Sequence, residues 1–143
     1  MFKMTRMQFL KKSAKCMNET GGVLLLLKEV IDKEFQGKIS NSEASMKIDI
    51  IRKEIESIFY EFEKLNPPSH CSSLKQKILT VLINMQDTVV TNLEYLSAAK
   101  ERLNEQSKDK LSESRTKLEN FRKDFHDVAK MVNILLAEKK KKT

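Results

Sequence analysis

The sequence predicts an all-α fold, an antiparallel up-down four-helix bundle with long helices. Apolar residues recur every three or four positions along four segments, which is the spacing of one helical face. The 143 residues include only three Gly and two Pro, too few turn-forming residues for the many short strands of a β sandwich. With 40% apolar and 33% charged residues, the composition is that of a folded domain rather than a disordered chain.

The first helix is predicted to end near Gly37. Its apolar face consists of Leu10, Ala14, Met17, Leu24, Leu27, Ile31 and Phe35. Gly21 and Gly22 interrupt this face, so either the helix breaks there or a neighbouring side chain packs against bare backbone. A continuous or kinked helix is the preferred interpretation.

The second helix has the most regular pattern, and we expect it to span about 24 residues. Its apolar positions are Ala44, Ile48, Ile51, Ile55, Ile58, Phe59, Phe62 and Leu65. Ser42 or a neighbour is expected to cap its start. Asn66-Pro67-Pro68 is expected to end it, because proline cannot continue a helix.

The third helix is expected to follow at once, with Pro67 or Pro68 in its first turn. Its apolar face comprises Leu74, Ile78, Val81, Leu82, Met85, Val89, Leu93, Leu96 and Leu103. Because the connection is so short, the second and third helices must run antiparallel.

The fourth helix is predicted to follow a polar stretch from Asn104 to Lys110. This stretch holds no apolar residue, so a loop or a local break is expected there, with Ser107 or Asp109 as a candidate cap. The apolar positions resume at Leu111, Leu118, Phe121, Phe125, Val128, Val132 and Leu135. The helix then runs into a lysine-rich end, so that residues 1–138 form a single helical-bundle domain and residues 139–143 a basic tail.

Much of the excess positive charge lies in that tail. The chain has 27 Lys and Arg against 20 Asp and Glu, and four of the basic residues are Lys139, Lys140, Lys141 and Lys142. Subtracting those four leaves 23 basic against 20 acidic residues, which is close to balance. Lysines at a helix C-terminus complement the helix dipole. The alternative is that these four contact phosphates of nucleic acid or of an anionic membrane surface.

No catalytic, cofactor-binding or metal-binding set of residues is predicted. His70 and His126 lack the Glu-x-x-His spacing with which helical bundles hold metals, and two histidines do not supply the four ligands of a structural zinc site. Cys71 and His126 are a candidate nucleophile and base. The preferred interpretation is that Cys71 packs in the first turn after the prolines and His126 lies at a rim beside Phe125. The chain is therefore expected not to be an enzyme, and Cys16 and Cys71 to be free thiols.

The chain is expected to be cytoplasmic. Lys11, Lys12 and Lys15 interrupt the apolar residues of the N-terminus before a signal-peptide core can form. The most apolar run, Val23 to Leu27, has five residues, against the ~20 needed to span a bilayer.

The segment from Phe59 to Leu79 resembles a Leu-x-Pro-Pro helical hairpin found in small helical-bundle proteins of Gram-positive bacteria, many of them lipoproteins of unknown function. The likeness rests on Leu65, Pro67, Pro68, Leu74 and Leu79. It covers about the central 60 residues of the chain. The resemblance implies a bundle in a bacterial host and implies no activity. The sequence departs from those lipoproteins at the expected lipobox, because Lys15 directly precedes Cys16.

The favoured function is a non-enzymatic protein-protein interaction module, such as an adaptor, an inhibitor or an immunity-type bundle. Val23–Leu27 and Ile78–Ile83 hold more apolar residues than one buried face requires, which indicates burial on more than one side. These residues would be covered by the protein's own helices, by a helix of a partner protein, or by a second copy in a homodimer. The alternative function is electrostatic binding of nucleic acid or an anionic membrane surface through the tail. No cofactor or small-molecule substrate is predicted, and the identity of the partner stays open.

Overall fold

The described part of the chain consists of four α-helices and short connections, as the sequence predicts. The structure is a computed structural model that describes residues 4–101 and 104–141, with the side chains of residues 104 and 139–141 excepted. The helices are α1 (Arg6–Phe35), α2 (Asn41–Glu63), α3 (Ser72–Lys100) and α4 (Asn104–Lys141), and a short 3₁₀ turn (Ser69–Cys71) precedes α3. No strand occurs in the described ranges.

The helices pack as an antiparallel up-down bundle. Each helix contacts the next one along the chain, and α4 packs back against α1, whereas the diagonal contact between α1 and α3 is slight. Each helix buries one apolar face against its neighbours. The largest fully buried side chains come from all four helices: Phe9, Leu10, Leu27, Ile48, Ile55, Ile78, Leu82, Met85, Val89, Leu96, Phe121 and Val132. Within the described residues, none of these helices has an apolar stretch long enough to cross a membrane.

Helix α1 is continuous through Gly21 and Gly22, which settles the question that the sequence left open. At its start, the Thr5 side chain accepts a hydrogen bond from the Gln8 backbone, and the Gln8 side chain accepts one from Thr5. This reciprocal pair is a capping box. At its end Gly37 has φ of +72°, and the Lys38 N–H donates to the carbonyl of Lys33. That is the Schellman ending that glycine favours.

Helix α2 is capped two residues earlier than Ser42, the position that the sequence predicts. The cap is Ser40, whose side chain accepts a hydrogen bond from the Glu43 backbone at 3.0 Å. The two prolines end α2 as expected, but neither lies in the first turn of α3. Pro68 has an extended ψ of 153° and precedes the 3₁₀ turn, so that α3 starts only at Ser72.

The loop predicted from Asn104 to Lys110 is wrong, because α4 already begins at Asn104. Ser107 and Asp109 therefore lie inside the helix and do not cap it. The Lys110 ammonium pairs with Glu94 on α3 at 2.9 Å and with Glu113 on α4 at 3.3 Å. Ion pairs thus join the first turns of α4 to α3 where the apolar stripe is missing. Leu103, assigned to the apolar face of the third helix, falls outside the described residues.

Candidate interaction surface

The apolar run from Val23 to Leu27 divides between the core and the surface. Val23, Leu24 and Leu27 are buried, whereas Leu25 and Leu26 are 69% and 47% exposed. The two exposed leucines flank the outer side of α1, with Leu25 towards α4 and Leu26 towards α2. The bundle's own helices therefore cover only part of this segment.

The second apolar run is largely accounted for by the core. Ile78, Val81 and Leu82 are buried, and only Ile83 is strongly exposed, at 50%. A single exposed isoleucine on a helix is an ordinary surface feature. The candidate surface is therefore on α1.

A groove runs between α1 and α4 on the side of the bundle where Leu25 is exposed. It is lined on α1 by residues between Ala14 and Lys28 and on α4 by residues between Arg122 and Asn133, and its volume is about 660 Å³. We call it the α1–α4 groove. Its floor is apolar, with Met17, Leu24 and Phe125 buried beneath it.

The shape of the floor depends on Gly21. A Cβ atom on Gly21 would lie 3.2 Å from Cζ of Phe125, so the phenyl ring packs against the bare helix backbone. The ring also packs against Phe121, with centroids 5.8 Å apart, and against His126, with centroids 5.6 Å apart. In a close-packed interior, such neighbours limit how far the Phe125 ring can shift away from Gly21.

Next to this contact, Gly22 leaves the wall of the groove open. A Cβ on Gly22 would meet no atom within 4 Å, and Gly22 is exposed. Glycine inside a helix costs about 1 kcal/mol relative to alanine. Nothing within the bundle compensates for that cost at Gly22, since no described residue packs there.

The ionisable side chains at the groove are all basic. Lys28 from α1 and Arg122 and His126 from α4 line it, and no Asp or Glu among the described residues does. Arg122 lies 3.5 Å from Glu119 one turn away on α4, where both groups are exposed to solvent. Such an exposed pair contributes little and neutralises Arg122 only weakly.

A second exposed apolar area lies between α1 and α2. Its main side chains are Leu26 and Ile50, which is 56% exposed. Its lining holds two lysines and two glutamates, of which Lys33 and Glu29 lie 2.8 Å apart. The lining of this area therefore has no net charge that would favour a charged partner.

The candidate nucleophile and base do not meet in the structure. Cys71 is buried at the start of α3, whereas His126 is exposed and lines the α1–α4 groove. The other cysteine, Cys16, is also buried and free. Burial raises the pKa of the Cys16 thiol to about 12, against the smaller opposing effect of Thr20. A thiol with so high a pKa is a poor nucleophile at neutral pH.

The structure describes the predicted basic tail only in part. The backbone of α4 continues to Lys141, but the side chains of Lys139, Lys140 and Lys141 and the whole of Lys142 lie outside what is described. Among the described residues, no group of three or more His, Cys, Asp or Glu side chains is placed to hold a metal ion.

Comparison with protein-family models, curated proteins and solved structures finds no match for this chain. The site is thus defined by its geometry. The sequence pointed to the bare backbone at Gly21 and to the excess leucines, but not to Lys28 and Arg122 as basic neighbours of one groove. Both are ordinary exposed or half-exposed helix residues, and no local pattern distinguishes them.

Proposed function

We propose that this chain is a non-enzymatic interaction module of the bacterial cytoplasm that binds another protein through the α1–α4 groove. One observation supports this most directly: Leu25 is 69% exposed beside a groove with an apolar floor. Complete burial of a leucine side chain is worth about 1.5–3 kcal/mol. Covering Leu25 and the groove floor would therefore stabilise a complex with a partner protein through one local contact.

Gly22 supports the outer side of α1 as a contact surface, since it lines both the α1–α4 groove and a groove between α1 and α2. The glycine weakens α1 while leaving empty space at the groove wall. A helix position without a side chain lets another backbone approach closely. An unoccupied glycine next to an exposed leucine is therefore expected where a partner packs.

The surface between α1 and α2 is the weaker candidate. Its floor is also apolar, with Val30 and Ile51 buried beside Leu26 and Ile50, but the neighbouring Glu29 and Lys33 already pair with each other at 2.8 Å. A partner would have to compete with ion pairs that already exist.

The proposal is tested by affinity purification from bacterial lysate with three matched forms of the chain. The wild type is compared with Leu25→Glu, in the groove, and with Ile83→Glu, which introduces the same charge at an exposed position on α3. We expect a protein that is retained by the wild type and by Ile83→Glu and is lost with Leu25→Glu. Circular dichroism of each variant checks that the bundle is intact.

A fourth form, truncated after Glu138, tests the electrostatic alternative. If the truncated chain loses its partner while Leu25→Glu keeps it, the interaction belongs to the lysine tail and the groove is not the site. Binding to nucleic acid or to an anionic membrane through the tail would also weaken steeply as salt is raised.

A further inference from the structure

The α1–α4 groove differs in charge from four other grooves of the bundle. The described lining of this groove contains Lys28, Arg122 and His126 and no acidic residue. Four other surface grooves each contain at least two acidic residues, such as Asp124 and Asp127 between α3 and α4. A basic rim over an apolar floor complements a ligand with an apolar centre and negative flanks.

The length of the groove suits an α-helix of about four turns. Its lining extends from Ala14 to Lys28 on α1, which corresponds to about 21 Å at ~1.5 Å per residue, or nearly four helical turns. Small residues from both helices, among them Ala14 and Ala129, lie along this length. A fifth helix laid between α1 and α4 would repeat the packing by which the other helices of the bundle bury their faces.

The same charges argue against a second copy of this chain as the occupant. A two-fold symmetric contact through the groove places the same patch of each copy against the other. Lys28 and Arg122 lie towards the same end of the groove, because α4 runs antiparallel to α1 and Phe125 faces Gly21. A two-fold axis parallel to the helices therefore brings these residues of the two copies together, and a perpendicular axis places them against a lining without described acidic residues, in a chain whose net charge is +7. Like charges brought together across an interface are unfavourable.

The concave shape argues against a membrane surface. Met17, Leu24 and Phe125 are buried at the floor, so a flat layer of lipid headgroups would not reach them. Among the large apolar side chains that line the groove, Leu25 is exposed and the others are buried. Membrane-surface helices instead present a broad apolar face that sinks between the headgroups.

We infer that the α1–α4 groove receives an amphipathic helix of a partner protein, with Asp or Glu residues on both sides of its apolar stripe. The apolar stripe contacts Leu25 and the floor beside Phe125, and the acidic residues face Lys28 on α1 and Arg122 on α4. This inference rests on the proposed function and adds the chemical class of the partner.

The test is a selection of peptides with a defined helical frame. A displayed library of 18-residue helices, with leucine at positions i, i+3, i+4 and i+7 and random residues at the flanking positions, is selected on the wild-type chain. Binders of the Leu25→Glu variant are removed beforehand. We expect the flanking positions to become enriched in Asp and Glu, and neutral or basic enrichment would overturn the inference.

Charge reversal of the rim then tests the contacts with one selected peptide. Lys28→Glu combined with Arg122→Glu is expected to weaken binding about tenfold or more and to flatten its dependence on salt. Lys38→Glu combined with Lys108→Glu changes the net charge equally at exposed sites outside the groove, and should change affinity less than about twofold. An equal loss in both pairs would show a general charge effect and would contradict the inference.

The outcomes separate this inference from the proposed function. If the selected peptides depend on Leu25 but lack acidic flanks, the groove is still a protein-binding site and only the inference of an acidic helix is wrong. If no Leu25-dependent helix is enriched, both fail. Leu25-dependent binding to vesicles of phosphatidylglycerol and phosphatidylcholine, or Leu25-dependent dimers in sedimentation at tens of micromolar, would assign the groove to lipid or to a second copy and would overturn the inference.

Discussion

The phenyl ring of Phe125 on α4 packs directly against the backbone of Gly21 on α1, where a Cβ would lie only 3.2 Å from the ring. The next residue, Gly22, faces open space. Two adjacent glycines in one helix therefore have different roles: Gly21 allows α1 and α4 to pack at this level, and Gly22 leaves the wall of the α1–α4 groove empty.

Alanine at the two glycines is predicted to change stability in opposite directions. Gly22→Ala should raise the free energy of unfolding by about 0.5–1 kcal/mol, because alanine favours the helix and meets no neighbour. Gly21→Ala gains the same preference but brings a Cβ to 3.2 Å from a ring that also packs against Phe121 and His126. Overpacking of that kind costs about 1–3 kcal/mol, so this variant should be less stable than the wild type. Urea denaturation of both variants would measure the difference, and equal stabilities would show that Phe125 moves freely.

The course of the helices was largely predictable where apolar spacing determines it. The predicted cap of α2, Ser42, lies two residues after the observed cap, Ser40. Both residues are serines at the start of the same apolar pattern, so the sequence does not distinguish them, whereas the backbone conformation does. The first turns of α4 were missed for a different reason. Lys110 replaces an apolar contact with an ion pair to Glu94, and that partner is evident only after α3 and α4 are placed side by side.

The candidate site was predictable in part. The glycine pair and the surplus leucines near Leu25 are visible in the sequence, because each breaks the expected pattern of one helix. The basic rim is not visible in the sequence, since Lys28 and Arg122 are 94 positions apart. The register of the whole bundle determines which turn of α4 lies opposite α1. No local sequence pattern predicts that register.

Lys75 on α3 is predicted to stabilise the end of α2. Its ammonium donates hydrogen bonds of 2.8 Å to the carbonyls of Glu63 and of Leu65, at a helix end where carbonyls lack helical partners. Lys75→Met should lower the free energy of unfolding by about 1 kcal/mol. Lys77→Met, an exposed control on the same helix, should change it by less than about 0.5 kcal/mol. Equal effects of the two substitutions in chemical denaturation would mean that water replaces the Lys75 contacts at no cost.

A buried polar contact between α3 and α4 is predicted to show strong coupling. The Asn92 amide donates a hydrogen bond of 3.1 Å to the Ser114 hydroxyl, and the Asn92 carbonyl oxygen is buried without a partner among the described residues. Ser114→Ala alone leaves the amide unsatisfied and should cost about 1–3 kcal/mol. The double variant Asn92→Leu with Ser114→Ala should recover most of that loss, because both polar groups are removed. A double-mutant cycle measures the coupling, and additive effects would contradict this prediction.

Ionisation of Cys16 is predicted to make the fold less stable at alkaline pH. Burial raises the pKa of this thiol from 9.0 to about 12, so above pH 9 the unfolded chain releases a proton that the folded chain keeps. The stability that the neutral thiol contributes is therefore complete below pH 9 and is lost as the pH rises towards 12. Between pH 8.5 and 10 the resulting loss should be roughly 1 kcal/mol. Lysine and tyrosine residues also titrate in this range, so the wild type must be compared with Cys16→Ala, which retains those groups. Under reducing conditions, the difference in unfolding free energy between the two proteins should shift against the wild type as pH rises. Identical pH dependence in both would mean that the Cys16 thiol ionises as readily in the folded chain as in the unfolded one.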